Sequence, residues 1–174
     1  MKSIIFSILL LASILQFSGC GLLPTPKEEL PPITQEGKNT FGCLVNGKVW
    51  LPKGSNGTAN LDASYDPNFS NGSFDIGAYN ITNEIDQFIS IGGKNVNKEG
   101  RYDFLQIKDS PGALFNDKRK GCFYTEQSNV INGYFTINRL DVQKQIVSGV
   151  FEFILYKNSC DTIKVAKGRF DMKF

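Results

Sequence analysis

Apolar and polar residues alternate along much of the chain after Thr40, which is the pattern of β-strands with one buried face. In the segment 130–140, for example, Ile131, Phe135 and Ile137 are expected on the buried face. About nine such segments follow one another, and no 3.6-residue period appears after the first 20 residues. The pattern predicts an antiparallel, all-β domain over residues 40–174. We expect a meandering β-sandwich of about nine strands, with a lipocalin-like flattened barrel as the alternative.

Turn residues predict where these strands begin and end. Asn46-Gly47 predicts a two-residue type I′ hairpin between the strands 41–45 and 48–51. Gly92-Gly93 is expected to end a strand that begins at Gln87, and the segment 110–120 is expected to be an irregular loop. The other predicted strands cover residues 59–65, 74–78, 101–107, 130–140, 146–156 and 162–174.

The last predicted strand changes phase along its length. Ile163 and Val165 are apolar at odd positions, whereas Phe170 and Met172 are apolar at even positions. A shift of one residue turns a side chain to the opposite face, so the backbone must absorb an extra residue. We predict a β-bulge within residues 166–169, where a glycine can adopt the required conformation.

The first 20 residues have the features of an export signal. Lys2 precedes an apolar run over residues 4–17, which is shorter than the ~20 residues of a membrane-spanning helix. Cys20 follows a Ser-Gly pair and resembles the cysteine of a bacterial lipobox, although Phe17 stands where leucine is usual. The resemblance implies a lipoprotein signal peptide over residues 1–19 and a membrane anchor through lipid on Cys20. The alternative is an ordinary signal peptide that leaves Cys20 as a thiol.

Residues 20–39 are rich in proline and polar residues, which predicts an extended tether between the lipid and the domain. Lys27-Glu28-Glu29 resembles the acidic export signal of some surface lipoproteins of Bacteroidota, although a solvated charge cluster has the same composition. The expected location is the bacterial outer membrane, at its periplasmic face or at the cell surface.

Composition excludes several classes of function. The chain has no histidine, which removes His-dependent triads and His metal sites, and we expect neither an enzyme nor a cofactor. Lys+Arg number 19 and Asp+Glu 17, without a long basic block, so no nucleic-acid partner is expected. Lys118-Arg119-Lys120 is interpreted as a solvated loop. Asp62, Asp66 and Asn68 offer oxygen ligands without a full calcium-loop pattern, and no metal site is predicted.

Three cysteines remain if Cys20 carries lipid, so at most one disulfide can form within the chain. We favour Cys122 with Cys160, because both lie near strand ends in an oxidising compartment. Cys43 lies within a predicted strand and is interpreted as a small buried apolar residue. The sequence leaves all three pairings open.

Aromatic residues at loops and on the less apolar strand faces are the best candidates for ligand binding. Such rings can stack on sugars or receive a peptide, although packing at the rim of the core is the simpler interpretation. Trp50, the single tryptophan, is expected to cap one end of the core. The candidate stacking residues are Tyr65, Phe69, Tyr79 and Tyr124.

Three stretches together resemble an uncharacterised family of small β-rich lipoproteins of Bacteroidota. They are 40–50, with the Val45-Asn46-Gly47-Lys48-Val49-Trp50 hairpin, then 148–153, and the closing 168–171. The resemblance spans about residues 40–174 and implies an envelope location and an all-β fold. It implies no activity and no functional residues.

These observations favour a lipid-anchored, non-enzymatic binding or scaffolding module for a glycan or an envelope protein. One alternative is a lipocalin-like carrier of an apolar ligand. Another is a carboxylate-dependent hydrolase, which needs two acidic residues in one cleft. The acidic candidates are Asp62, Asp66, Asp75, Asp103 and Glu152.

Overall fold

The computed structural model describes residues 27–55 and 57–174, which form two antiparallel β-sheets. The predicted signal peptide, Cys20 and the first part of the predicted tether lie outside the described residues. Eleven strands are present in the described ranges, two more than expected. They are β1 (Thr40–Val45), β2 (Lys48–Trp50), β3 (Leu61–Asp66), β4 (Ser73–Ile81), β5 (Asp86–Lys94), β6 (Gly100–Asp103), β7 (Gly112–Asp117), β8 (Cys122–Tyr124), β9 (Val130–Asp141), β10 (Ile146–Leu155) and β11 (Ile163–Lys173).

The two sheets pack as a sandwich. The six-stranded sheet has the order β2-β1-β11-β10-β9-β6, and the five-stranded sheet has the order β3-β4-β5-β7-β8. The predicted hairpin is confirmed, since Asn46 and Gly47 both have positive φ angles, of 48° and 81°. The sheets are not closed into a barrel, so the predicted sandwich is confirmed and the barrel alternative is wrong.

Phenylalanine rings fill the space between the sheets. The ring of Phe74 in β4 lies 5.3 Å from Phe135 and 5.7 Å from Phe170, which belong to the opposite sheet. Phe151 packs on Phe41 at 5.1 Å, and all five rings are buried. Burying each ring contributes about 1.5–3 kcal/mol. This apolar contact between facing rings holds the two sheets together.

The predicted bulge in β11 is confirmed. The pairing of β11 with β10 shifts by one residue between Val165 and Gly168, and the change of apolar phase follows from this shift. Lys167, with a φ of 52°, takes the left-handed conformation in place of the glycine. Gly168 is needed for space instead, because a Cβ there would lie 2.5 Å from Cδ2 of Phe151.

Four other expectations about strands are wrong. Ile131 is 61% exposed, because β9 shifts its pairing near its start and Val130 takes the inward position. Phe135 and Ile137 are buried as expected. β5 continues through Gly92-Gly93 to Lys94, the expected loop at 110–120 contains β7, and the strand predicted over 101–107 ends at Asp103.

Residues 30–39, which we call the strap, lie against the six-stranded sheet. Leu30 and Pro31 occupy the space beside Gly42, where a Cβ would lie 2.7 Å from Cδ of Pro31. Arg169 donates a hydrogen bond to the carbonyl of Pro31 at 3.2 Å, and Arg139 donates one to the carbonyl of Gln35. The predicted tether therefore ends earlier than Asn39, because its second half is fixed to the domain.

Asp171 of β11 is the centre of the strap's contacts. Its carboxylate, 1% exposed, accepts hydrogen bonds from Thr34 Oγ1 at 2.6 Å and from the backbone N–H groups of Glu36 and Gly37 at 3.0 and 2.6 Å. Burial raises the pKa of Asp171, but these hydrogen bonds and the nearby backbone N–H of Lys38 lower it below its usual value. The carboxylate is therefore charged when the strap is bound.

Candidate functional site

Tyr124 and the three cysteines of the described ranges have structural roles. Cys122 pairs with Cys160, the pairing that the sequence favoured, and Cys43 is buried and free. Burial raises the pKa of the Cys43 thiol, which makes it a poor nucleophile. Tyr124 is 1% exposed and its hydroxyl donates a hydrogen bond to the carbonyl of Asp161. Its predicted role in ligand stacking is wrong, because the ring packs in the core.

Tyr65 and Phe69 lie away from Tyr79 and form no common site with it. Tyr65 is half-buried and its ring packs on Phe174 at 5.4 Å. Phe69 is exposed beyond the far end of β3, with Lys94 Nζ 5.6 Å from the centre of its ring. That end of the sheet is about 20 Å along β4 from Tyr79, at ~3.4 Å per residue.

Tyr79 belongs to a row of side chains across the outer face of the five-stranded sheet. Strand pairing places Tyr79 beside Phe88, Phe88 beside Asn116, and Asn116 beside Phe123. The rings of Tyr79 and Phe88 are 4.3 Å apart, and Phe123 is 41% exposed. We call Tyr79, Phe88 and Phe123 the aromatic row. It brings three rings from separate strands onto one accessible surface.

A surface cavity of about 440 Å³ lies at the aromatic row, with Asn116, Asp86 and Lys118 among its lining residues. Asp86 and Lys118 are 3.9 Å apart, Oδ2 to Nζ, so the two charges partly offset each other. Oδ1 of Asn116 is enclosed and accepts no hydrogen bond within the described part of the chain. An enclosed acceptor without a donor costs about 1–3 kcal/mol.

A second cavity, of about 220 Å³, lies on the same face of the sheet. Asp75, Ser90 and Gly92 line it, and Ser90 Oγ donates a hydrogen bond to Asp75 Oδ2 at 3.0 Å. Asp75 lies four residues before Tyr79 on β4, so the two cavities are about 13 Å apart along the strand. Gly77 lies between them beside the ring of Phe88, since a Cβ there would lie 3.2 Å from Cε2 of Phe88. The face therefore has an aromatic end and a polar end.

The pKa of Asp75 is higher than that of an ordinary aspartate carboxyl group. Loss of solvation raises its pKa, the hydrogen bond from Ser90 lowers it, and the charge of Asp62 raises it again, so that the net pKa is above the usual value. Strand pairing places Asp62 and Asp75 diagonally on this outer face. The other acidic candidates are separate: Asp103 pairs with Arg101, Asp66 accepts from the Asn68 backbone, and Glu152 accepts from the Lys167 backbone.

Other predicted features have ordinary structural contacts. Trp50 is buried, as expected, and its indole N–H donates a hydrogen bond to Gln87 Oε1 at 2.9 Å. In the basic loop, Lys118 contacts Asp86, Arg119 donates to the Asn83 carbonyl, and Lys120 contacts Asp161. Across the described ranges no group of three or more acidic or cysteine residues could hold a metal ion. No helix in the described part of the chain is long and apolar enough to span a membrane.

Comparisons with protein-family models, with curated proteins and with solved structures each return no match for this chain. The resemblance to a lipoprotein family stays a prediction.

Proposed function

We propose that the protein is a lipid-anchored glycan-binding module of the bacterial cell envelope. The observation that carries the proposal is the aromatic row, which presents three rings on one exposed sheet face. A row of this kind suits a ligand made of repeated rings with apolar faces and polar edges, as sugars are. The lipobox residues before Cys20 support the envelope location and the lipid anchor.

Polar groups beside the rings supply hydrogen-bond donors and acceptors for a sugar. Asp86, Asn116 and Lys118 offer acceptors and donors at the aromatic end, and Asp75 with Ser90 offers them at the polar end. Polar groups at a binding site are a source of specificity, because an analogue without the matching hydroxyl leaves them unpaired. The two cavities on one face favour an extended chain of several sugars over a single ring.

The test is binding of the full chain to a glycan array and to purified cell-wall polysaccharide. Phe123→Ala and Tyr79→Ala are expected to weaken binding at least tenfold, which corresponds to about 1.4 kcal/mol per variant. Phe69→Ala is the matched control, since this ring is 55% exposed but lies outside the row. Absence of binding to every glycan, or equal binding by all three variants, would contradict the proposal.

A carboxylate-dependent hydrolase is the second candidate, because Asp75 has a raised pKa and Asp62 shares its face. Each bound glycan should therefore be incubated with the protein and analysed for new reducing ends. Turnover that Asp75→Asn abolishes would replace the binding module by the hydrolase. Unchanged glycan chains would support the binding module.

Location can be tested separately with protease added to intact cells. Loss of the protein would place the domain at the cell surface, where Lys27-Glu28-Glu29 would then gain support as an export signal. Survival until the outer membrane is opened would place it at the periplasmic face.

A further inference from the structure

β3 is an unusual edge strand in this fold. Of the four strands at the edges of the two sheets, β2 and β8 have three residues each and β6 has four, whereas β3 has six. Its pairing with β4 has a constant register without a bulge. β3 also has no lysine and no proline. Proteins usually protect long, regular edges with these devices, because an open edge accepts another strand.

The backbone of β3 leaves alternate groups free at this edge. The N–H of Tyr79 donates to the carbonyl of Asn60, so these two residues form a hydrogen-bonded pair. Every second residue of β3 after Asn60, beginning with Asp62, therefore forms such a pair with β4. The N–H and C=O groups of Leu61, Ala63 and Tyr65 therefore point away from β4. In the described ranges, no backbone partner outside the sheet meets them. Groups with this spacing match the backbone of an extended peptide.

A groove runs beside the same edge. Its two halves, of about 320 and 340 Å³, share Asn39, Asn60 and Leu61. Phe41 and Leu51 make the first half partly apolar, which suits one apolar side chain of a docked segment. The groove is lined on its far side by the start of β1 and the end of β11.

The charged residues beside β3 indicate which kind of peptide segment would bind at this edge. Asp62 and Asp66 lie on β3 and Glu29 lines the groove, while Lys173 is the cation that lines it. Within the described ranges none of the three carboxylates forms an ion pair. A residue opposite Asp62 on an added strand would face outward beside it, so lysine or arginine is favoured there.

We propose that β3 receives an extended, basic segment of a partner protein as an added strand. Asp62 lies on the same sheet face as Tyr79, but the backbone edge of β3 does not include the aromatic row, and the inference does not depend on glycan binding. Binding would come from backbone hydrogen bonds at Leu61, Ala63 and Tyr65, and specificity from the outward carboxylates and the apolar half of the groove.

The probe is an eight-residue peptide of alternating lysine and valine, with blocked ends, added to the full chain. Binding is measured by calorimetry and by slowed amide hydrogen exchange at Leu61, Ala63 and Tyr65. Ala63→Pro removes one outward N–H without removing a bond to β4, and it is expected to weaken binding at least tenfold. Asp62→Lys keeps the backbone intact and is expected to weaken binding of this peptide and to favour a glutamate–valine peptide.

Asp103→Lys, on the edge strand β6 of the other sheet, serves as the control for Asp62→Lys and is expected to bind the lysine–valine peptide as the wild type does. No binding, binding that neither Ala63→Pro nor Asp62→Lys weakens, or unchanged amide exchange along β3 would overturn the proposal. A wild-type dimer at micromolar concentration that Ala63→Pro dissociates would also overturn it, because the occupant would then be a second copy of this chain.

Discussion

Replacing Asp171 by asparagine is expected to release the strap from the six-stranded sheet. The carboxylate is almost fully buried and accepts three hydrogen bonds, from Thr34 Oγ1 and from the backbone N–H groups of Glu36 and Gly37. Asparagine has the same shape, but it keeps only one oxygen. Its amide nitrogen would face at least one of these donors, and that donor would lose its acceptor.

The cost can be derived from these contacts. A hydrogen bond to a charged group contributes about 1.5–3 kcal/mol, and a buried donor left without an acceptor costs about 1–3 kcal/mol. Because the three bonds share one carboxylate, they do not add, and we expect a loss of about 2–4 kcal/mol in the free energy of unfolding. For a domain of this size the midpoint of thermal unfolding should fall by about 5–15 °C.

The pH dependence gives a second, independent measurement. The pKa of Asp171 is lower in the folded state than the value of about 3.9 for an unfolded chain. Its charge therefore stabilises the fold above that value, and the stabilisation is lost as the pH falls through the folded pKa. The asparagine variant cannot titrate, so the difference between the two proteins should narrow in acid.

Urea unfolding at pH 7 and at pH 3, together with trypsin cleavage after Lys38 at pH 7 as the reporter of the strap, tests the reasoning. Asp161→Asn is the control, because that carboxylate is exposed and, within residues 27–55 and 57–174, contacts only the exposed side chain of Lys120, so little change is expected. An Asp171→Asn variant within about 0.5 kcal/mol of the wild type at pH 7, with unchanged cleavage, would refute the role of Asp171.

Three further predictions concern the core and can be checked by the same unfolding measurement. Phe151→Ala should cost about 3–5 kcal/mol through lost burial and a cavity, and a loss below about 1 kcal/mol would mean that β10 is not central. Gly168→Ala should destabilise the fold by about 1–3 kcal/mol, because its Cβ would meet Phe151. Lys167→Gly should be neutral or stabilising, because glycine adopts the left-handed conformation of Lys167 without strain. A larger loss for Lys167→Gly than for Gly168→Ala would contradict the bulge geometry. Replacing Cys122 and Cys160 by serine should cost up to about 4 kcal/mol for a 38-residue separation, and an unchanged midpoint would contradict the chain-entropy argument.

The sequence predicted those parts of the fold that local pattern determines. Asn46-Gly47 permits the tight turn by itself, and the phase change between Val165 and Phe170 requires an extra residue wherever the strand pairs. It did not predict that Ile131 turns outward, because that depends on a shift in the pairing of β9 with β10. β7 was missed because Pro111 and Gly112 resemble a loop, while its partner β5 fixes the strand.

The candidate site was only partly predictable for a similar reason. Tyr79 was identified from its place on the less apolar face of a strand, but Phe88, Asn116 and Phe123 join it only through the register of four strands. No single stretch of sequence contains that register. Tyr124 alternates like an exposed residue, yet its ring enters the core beside the disulfide.

The strap also sets how far the domain can stand from the membrane. With the lipid on Cys20 that we propose, ten residues separate the anchor from Leu30, the first residue of the strap, and they span at most about 35 Å. A free chain to Asn39 would span about 70 Å. The shorter distance is close to the diameter of the domain itself, about 35–40 Å. The binding faces would therefore stay close to the membrane surface. Release of the strap from Asp171 would about double the distance that they can reach.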